Sequence, residues 1–303
     1  MRIGTRGSAL ALAQSAYVRG LLPGGPHEVQ VIETSGDRHP ELSFQGFGGK
    51  GIFTKEIETA LLESRIDLAV HSLKDLPTDP VPGLTIAALL TREDPRDAWI
   101  ARDGKKPADV PAGSRVGTSS LRRRSQLLAR RPDLEVLELR GNVPTRIARL
   151  KEGRFDAIVV AAAGLNRLGL SSEITEILDE SWMLPAPGQG VLAIQVREGD
   201  ATAARAVGML HDPAAAAEAT AERELLAGLG GGCLVPVGAR ARALGDRISL
   251  AGFVGHPRGR PSLRSSVDGP IAAATELGRA LATTLLAQGA REILEAVRGE
   301  VSP

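Results

Sequence analysis

Twice along this chain of 303 residues, short apolar runs with strand character alternate with runs of helical period, and this doubled alternation restricts the fold more than any other feature. In the first unit, Glu28 to Glu33, Asp67 to Ser72 and Thr85 to Leu90 read as strands, with Thr54 to Ser64 as a helix among them. In the second, Ser114 to Gly117, Glu135 to Leu139 and Asp156 to Ala161 read as strands, with Ser119 to Arg131 and Pro144 to Lys151 as helices. Such alternation folds as sheets covered by helices, so two α/β domains are expected. The length agrees, because a single hydrophobic core seldom serves a chain this long.

Two connectors, Thr91-Arg92-Glu93-Asp94-Pro95 and Leu184-Pro185-Ala186-Pro187-Gly188-Gln189-Gly190, are polar or rich in proline and glycine. They predict hinges near 91–95 and 185–190. Val191 to Val196 reads as a buried strand returning to the first unit. Domain one is then discontinuous, residues 1–90 with 191–208, and an arginine-rich second domain occupies 96–184. From Asp212 onward come a long Ala/Glu helix, a break at Gly230-Gly231-Gly232, strands at Val235 to Ala243, Arg247 to Phe253 and Leu263 to Val267, and a final helix from about Ile271. That succession predicts a smaller α+β domain over 213–303.

Composition narrows the function. The formal net charge is +1 and aromatics make up only 3% of the chain, which argues against nucleic acid and anionic membranes as partners. Residues 115–167 nevertheless carry eleven arginines and Lys151 against five acids, a local surplus of seven positive charges. Concentrated charge of one sign repels itself, and an acidic ligand is a common reason for it. Cys233 is the single cysteine; it cannot form an intramolecular disulfide, which points to a reducing compartment. Met1 to Arg6 lacks the apolar stretch of a signal peptide, and the longest apolar run, Ala157 to Leu165, is too short to span a bilayer. A cytoplasmic protein, off the membrane, is expected.

Several candidates follow predicted strands, where open α/β sheets bind ligands. Thr118, Ser119 and Ser120 lie at a strand-to-helix turn, followed by Arg122 and Arg123; free N–H groups there favour an anion, while the alternative is a solvated helix face. Arg140 and Arg146 follow the next strand, Arg167 the one after, and Arg6 and Ser8 the first. Ser72, Lys74 and Asp75 end the strand Asp67 to Ser72; Asp75 either caps a surface turn or stabilises a developing cation. Cys233, after three glycines, is either a small buried hydrophobe or an exposed thiol. Gly48-Gly49-Lys50-Gly51 lacks the spacing of a phosphate loop and reads instead as a lid carrying Lys50.

Eight segments taken in order resemble the porphobilinogen deaminase family, from Ile3 to roughly Gly238. They are Thr5 to Ala11, Gly48 to Phe53, His71 to Asp75, Gly117 to Arg123, Arg140-Gly141-Asn142, Gly164 to Gly169, Pro187 to Gly190 and Gly231-Gly232-Cys233. The resemblance implies two domains like those of type II periplasmic binding proteins around a cleft, with a third domain presenting the cysteine. It also implies the reaction. Cys233 would hold a dipyrromethane cofactor by a thioether, four porphobilinogen units would add stepwise with loss of ammonia, and water would release hydroxymethylbilane. Asp75 would be catalytic, binding pyrrole N–H groups and stabilising the electrophile left by deamination. Ser72, Lys74, Thr118, Ser119, Ser120, Arg122, Arg123 and Arg146 would bind the cofactor, and Arg6, Ser8, Lys50, Arg140, Arg167 and Gln189 the substrate.

No metal is implied. The product would pass to uroporphyrinogen-III synthase, and a monomer is expected. Some relatives carry another lysine where this chain has Gln45, Gly46 and Phe47, and many carry a glutamate at the position of Gly230. A two-lobed anion receptor is the main alternative; it would have no need of a thiol after a glycine run.

Overall fold

The computed structural model describes residues 1–38, 53–231 and 235–301. In chain order the first stretch runs β1 (Arg2–Thr5), α1 (Ala9–Leu21), β2 (Glu28–Val31), α2 (Ser35–Arg38), α3 (Lys55–Leu62), β3 (Leu68–Ser72) and β4 (Leu84–Leu89). The second runs β5 (Asp97–Ala101), β6 (Arg115–Gly117), α4 (Leu121–Arg130), β7 (Glu135–Leu137), α5 (Val143–Lys151), β8 (Ala157–Ala161), α6 (Ala162–Arg167) and β9 (Glu176–Ile177). Then follow β10 (Leu192–Arg197), α7 (Ala201–Gly208), α8 (Pro213–Gly228), β11 (Val237–Leu244), β12 (Arg247–Gly255), β13 (Ser262–Pro270), α9 (Ala274–Ala287) and α10 (Ala290–Val301).

Two five-stranded sheets share one plan. The first has the order β2-β1-β3-β10-β4 and the second β7-β6-β8-β5-β9. In each, three parallel strands are followed by one antiparallel strand that arrives from the other domain: β10 lies between β3 and β4, β5 between β8 and β9. The two α/β units therefore exchange a strand and are joined by two connectors. An antiparallel sheet β11-β12-β13 carries α8, α9 and α10 as a small α+β domain.

Strand faces explain the layers. On β3, Leu68 and Val70 pack with Ile194, Val196 and the α7 residues Ala203 and Val207, while Ala69 faces Ile57 and Leu61 of α3. The second sheet buries Trp99, Val116 and Val159 beneath Leu127 of α4 on one face, and Ile158 with Leu150 and Leu165 on the other. Each such buried Val, Leu or Ile side chain stabilises the fold by about 1.5–3 kcal/mol. Helix starts are set by side-chain caps: Ser8 accepts the Ala11 N–H, Asn142 the Thr145 N–H, and Asp212 the N–H groups of Ala214 and Ala215.

Three features differ from the sequence expectation. Asp97–Ala101 forms a central strand that was not expected, because five residues opening on an aspartate give little periodic signal. The apolar run Ala157 to Leu165 divides into β8 and α6 between Ala161 and Ala162. The final helix is two, α9 and α10, parted where Gly289 adopts φ +102°. Among the described residues no helix is long and apolar enough to cross a membrane.

The connectors touch where Gly190 stands at φ +93°; a Cβ there would lie 2.3 Å from Glu93 O, so glycine alone fits. Glu222 of α8 binds both connectors. Arg92 donates to its two carboxylate oxygens at 2.7 and 2.9 Å, and the Gly188 N–H donates at 2.7 Å.

Candidate active site

The first two domains enclose a cavity of about 1010 Å³, at the upper end of the roughly 300–1,000 Å³ common for small-molecule sites. Its walls follow the carboxyl ends of parallel strands in both sheets. Arg6 and Ser8 come after β1, Ser72, Lys74 and Asp75 from the end of β3, Ser119 and Arg123 after β6, and Arg140 after β7. Arg146 stands on α5, Arg167 on α6, and Gln189 on the returning connector. Eleven expected site residues are thereby brought together around one space.

The turn Leu73–Asp75 is a single turn of 3-10 helix, and Leu73 beneath it is fully buried, its N–H donating to Val191 O at 3.0 Å. Asp75 faces the cavity and makes no hydrogen bond to any described residue. Lys74 donates to Gln189 Oε1 at 3.2 Å, and Gln189 Nε2 donates in turn to Asp97 Oδ1 at 2.9 Å. Burial lowers the Lys74 ammonium to about 8, against the opposing attraction of Asp75.

Asp97 is a fully buried hub. Arg122 Nη1 donates to its Oδ2 at 2.7 Å, and Arg123 Nε and Nη2 donate to its Oδ1 at 3.1 and 2.7 Å. Burial pushes the Asp97 carboxyl up, yet the two guanidinium groups outweigh it and hold the group well below the usual carboxylate range. Three expected ligand-binding residues serve this framework and do not line the cavity. Arg122 spends its charge on Asp97 and donates to Leu184 O at 2.6 Å; Thr118 Oγ1 accepts the Ser120 N–H at 3.2 Å; Ser120 Oγ caps α4 by accepting the Arg123 N–H at 3.4 Å.

The remaining cations fall into two groups. Arg6 grips Asp37 through Nη2 at 2.6 Å and Nε at 3.2 Å and lies 3.9 Å over the Phe53 ring. Arg140 pairs with Glu138. By contrast Arg146 donates to Gly141 O at 2.7 Å, Arg149 to Arg140 O at 3.1 Å and Arg167 to Gly190 O at 2.6 Å. None of these three has a carboxylate at ion-pair distance among the described residues. Burial, reinforced by Arg123 and Arg149, lowers Arg146 to about 10; burial also lowers Arg167. Both remain cationic at neutral pH.

Gln14, Asp37, Phe53 and Arg149 also line the cavity and were not expected there. Asp37 follows β2 in the same strand-end position as the others, a signal that the sequence carried. Gln14 Nε2 reaches Ser72 Oγ at 2.9 Å across 58 residues, which no local pattern could show. Lys50 and Cys233 lie outside the described residues, together with Gly48, Gly49, Gly51 and Gly232.

Residues 1–205 match the family model described as porphobilinogen deaminase, dipyromethane cofactor binding domain, and residues 216–287 match porphobilinogen deaminase, C-terminal domain. A protein of Syntrophobacter fumaroxidans named porphobilinogen deaminase is 48% identical over 301 residues, covering 98% of this chain and 97% of its own. One of Thermus thermophilus with the same name is 48% identical over 301 residues, covering 98% of each chain. Among solved structures, a Brucella ovis periplasmic binding protein with glutathione bound aligns at TM-score 0.40 and 16% identity, over 75% of this chain and 68% of that one. The Bordetella pertussis BvgS VFT2 domain aligns at TM-score 0.39 and 15% identity, over 69% and 84%.

Proposed function

The chain belongs to the porphobilinogen deaminase family, and from that premise we propose that Asp75 is its catalytic carboxylate and that the cations around it hold the acetate and propionate groups of substrate and cofactor. The protein condenses porphobilinogen head to tail, with loss of ammonia, on a dipyrromethane cofactor in tetrapyrrole biosynthesis. The finer reaction is that of a hydroxymethylbilane synthase: four units joined, then hydrolytic release with the cofactor retained.

The residues present fit such a group. Arg146, Arg149 and Arg167 line the cavity with no carboxylate at ion-pair distance among the described residues, and Lys74 lines it as a further cation. When bound, the dipyrromethane supplies the nucleophilic pyrrole carbon to which the first substrate is joined. Lys74, Ser119, Arg123 and Arg146 would hold its carboxylates, and Cys233 its thioether. Arg6, Ser8, Arg140, Arg167, Gln189 and Lys50 would receive the incoming substrate, with Ser72 fixed by Gln14.

The observation that carries this reading is the open carboxylate of Asp75. Asp37 and Glu138, also at the cavity, are neutralised by Arg6 and Arg140, whereas Asp75 accepts no hydrogen bond from any described residue. It can accept pyrrole N–H groups in the ground state and oppose the positive charge that grows as ammonia departs. Fixed placement on a turn anchored by the buried Leu73 means that little reorganisation accompanies that step.

Residues 91–95 and 185–190 act as hinges of the discontinuous first domain against the second. The thiol must stay reduced until it is loaded, which favours a cytoplasmic enzyme; the same reading takes it as a monomer that hands its product to uroporphyrinogen-III synthase. The test is the intact mass of the purified protein beside Cys233→Ala. A covalent excess of two pyrrole units in the wild type, absent from the variant, is expected. A wild type that stays unmodified after incubation with porphobilinogen would return the two-lobed receptor to first place.

A further inference from the structure

Helix α8 leads into the glycine run that precedes Cys233, and one turn of it also grips the segment that carries Asp75. Ala219 packs against Leu73 and Leu76, and Arg223, one turn later on the same face, reaches over them. Arg223 Nη2 donates to Pro77 O at 2.6 Å, and Nη1 donates to Leu76 O at 3.0 Å and, at the limit of hydrogen bonding, to Leu73 O at 3.5 Å. These carbonyls bracket Lys74 and Asp75. The Leu76 N–H already closes the turn onto Leu73 O at 3.1 Å, so the guanidinium takes up the outward-facing carbonyls of a segment too short to satisfy its own.

The downstream end of α8 meets the same segment again. Gly231, at φ +54°, lies so close that a Cβ on it would stand 2.9 Å from Thr78 Oγ1. The base of the thiol-bearing arm and the residues just past Asp75 are therefore in contact at two places, Arg223 on Pro77 and Gly231 beside Thr78. Glu222, next to Arg223, meanwhile holds both connectors through Arg92 and the Gly188 N–H.

We propose that Arg223 is a positioning residue for Asp75: it fixes the turn that carries the carboxylate against α8. This rests on the assignment of Asp75 and Cys233 above. Every addition must bring a reacting ring to one carboxylate, so the turn that carries Asp75 has to keep its place while the product grows. A guanidinium forked onto consecutive carbonyls restrains that turn better than a single ammonium could.

The consequence is a separation of kinetic terms. Arg223 does not line the cavity, so its removal leaves the carboxylate-binding cations untouched and KM within about twofold. Misplacement of a reacting group by about an ångström lowers turnover by up to ~100-fold, so kcat of Arg223→Gln should fall by roughly ten- to a hundredfold. Arg223→Lys, which keeps one charged donor, should recover a substantial part of that loss.

The experiment is steady-state kinetics on wild type, Arg223→Gln and Arg223→Lys, each checked for the two-pyrrole mass excess and for a cooperative thermal transition. A fall in kcat at constant KM in fully loaded, folded Arg223→Gln, with partial recovery in Arg223→Lys, is the expected result. Unchanged kcat in Arg223→Gln would overturn the proposal; so would a rise in KM alone, which would make Arg223 a ligand contact, or a kcat loss that merely tracks the unloaded or unfolded fraction. If Arg223→Gln does not fold, Arg223→Lys decides by itself: its kcat must fall at constant KM, and wild-type kcat overturns the proposal. A wild type without deaminase activity would instead refute the functional assignment.

Discussion

Replacement of Asp97 by asparagine tests the centre of the site's framework. The change is isosteric, so no cavity opens, and what is lost is the charge that Arg122, Arg123 and Gln189 converge upon. The asparagine oxygen can still accept from Arg123 and Gln189. Its amide nitrogen would face Arg122 Nη1 at the present 2.7 Å, a donor against a donor, in a place with no exposed surface. Removing one partner of a buried ion pair destabilises by about 3–5 kcal/mol, against a total stability of about 5–15 kcal/mol. With a urea m value of about 3 kcal/mol/M, the midpoint should drop by about 1–1.7 M. The assay is specific to the domain concerned, because Trp99 and Trp182 both pack in the second domain, and their fluorescence follows its unfolding. The folded Asp97 carboxyl is depressed, so its contribution is complete above the unfolded-state value near 3.9 and is lost as pH falls through the folded value. Asp97→Asn should therefore also flatten the acid limb of stability against pH. A midpoint shift below about 0.3 M, equivalent to about 1 kcal/mol, would refute a charge hub at this position.

Asp75→Asn should keep the two-pyrrole adduct and the urea midpoint while turnover falls by orders of magnitude; near-normal turnover would remove Asp75 from the chemistry. With Lys74 lowered to about 8 by burial, kcat/KM should decline as pH rises through that value, since the free enzyme loses a cation that attracts carboxylates, and Lys74→Arg should abolish the decline. Arg149→Gln should raise KM several-fold or slow the late additions, seen as a changed distribution of partly elongated species by native mass spectrometry, with no loss of stability.

The alternation of strands and helices revealed both α/β domains, because β3 and β8 are buried on both faces and read as continuous apolar runs. Strand-end position then located Arg6, Asp75, Arg140 and Arg167 without any contact information. What the sequence could not supply was the partner of each charge. Arg122 and Arg123 are neighbours on one helix with the same composition around them and both bind Asp97, on a strand with no strong signal, yet only Arg123 borders the cavity: Arg122 turns to Leu184 O, 62 residues away, and Arg123 to Val159 O, 36 residues away. Thr118 and Ser120 looked like anion ligands for the same reason that they make good turn and cap residues: a short hydroxyl beside free backbone N–H groups serves either role. Arg149 went unnoticed because a helix of basic residues carries no mark of which face meets the cleft.

The division among the cations follows from what a site for polyanionic chains must do. A cleft lined only with unpaired guanidinium groups would repel itself, and each buried charge without a partner would weaken the fold. Here the deepest arginines, Arg122 and Arg123, share one carboxylate of the protein, Asp97, and Arg6 and Arg140 near the cavity wall are paired with Asp37 and Glu138. The unsatisfied charge is left to Arg146, Arg149 and Arg167, whose donors rest on backbone carbonyls. A carbonyl orients a guanidinium without cancelling its charge, so an arriving carboxylate finds donors already aimed and displaces no resident acid. At Arg6 and Arg140 a carboxylate, if bound there as proposed, would instead have to compete with Asp37 or Glu138, which would weaken the grip and ease release. A chain that has to bind, advance and finally leave needs both kinds of contact in one cavity, and the positions of five carboxyl and carbonyl partners, Asp37, Glu138, Gly141, Arg140 O and Gly190 O, decide which arginine serves as which.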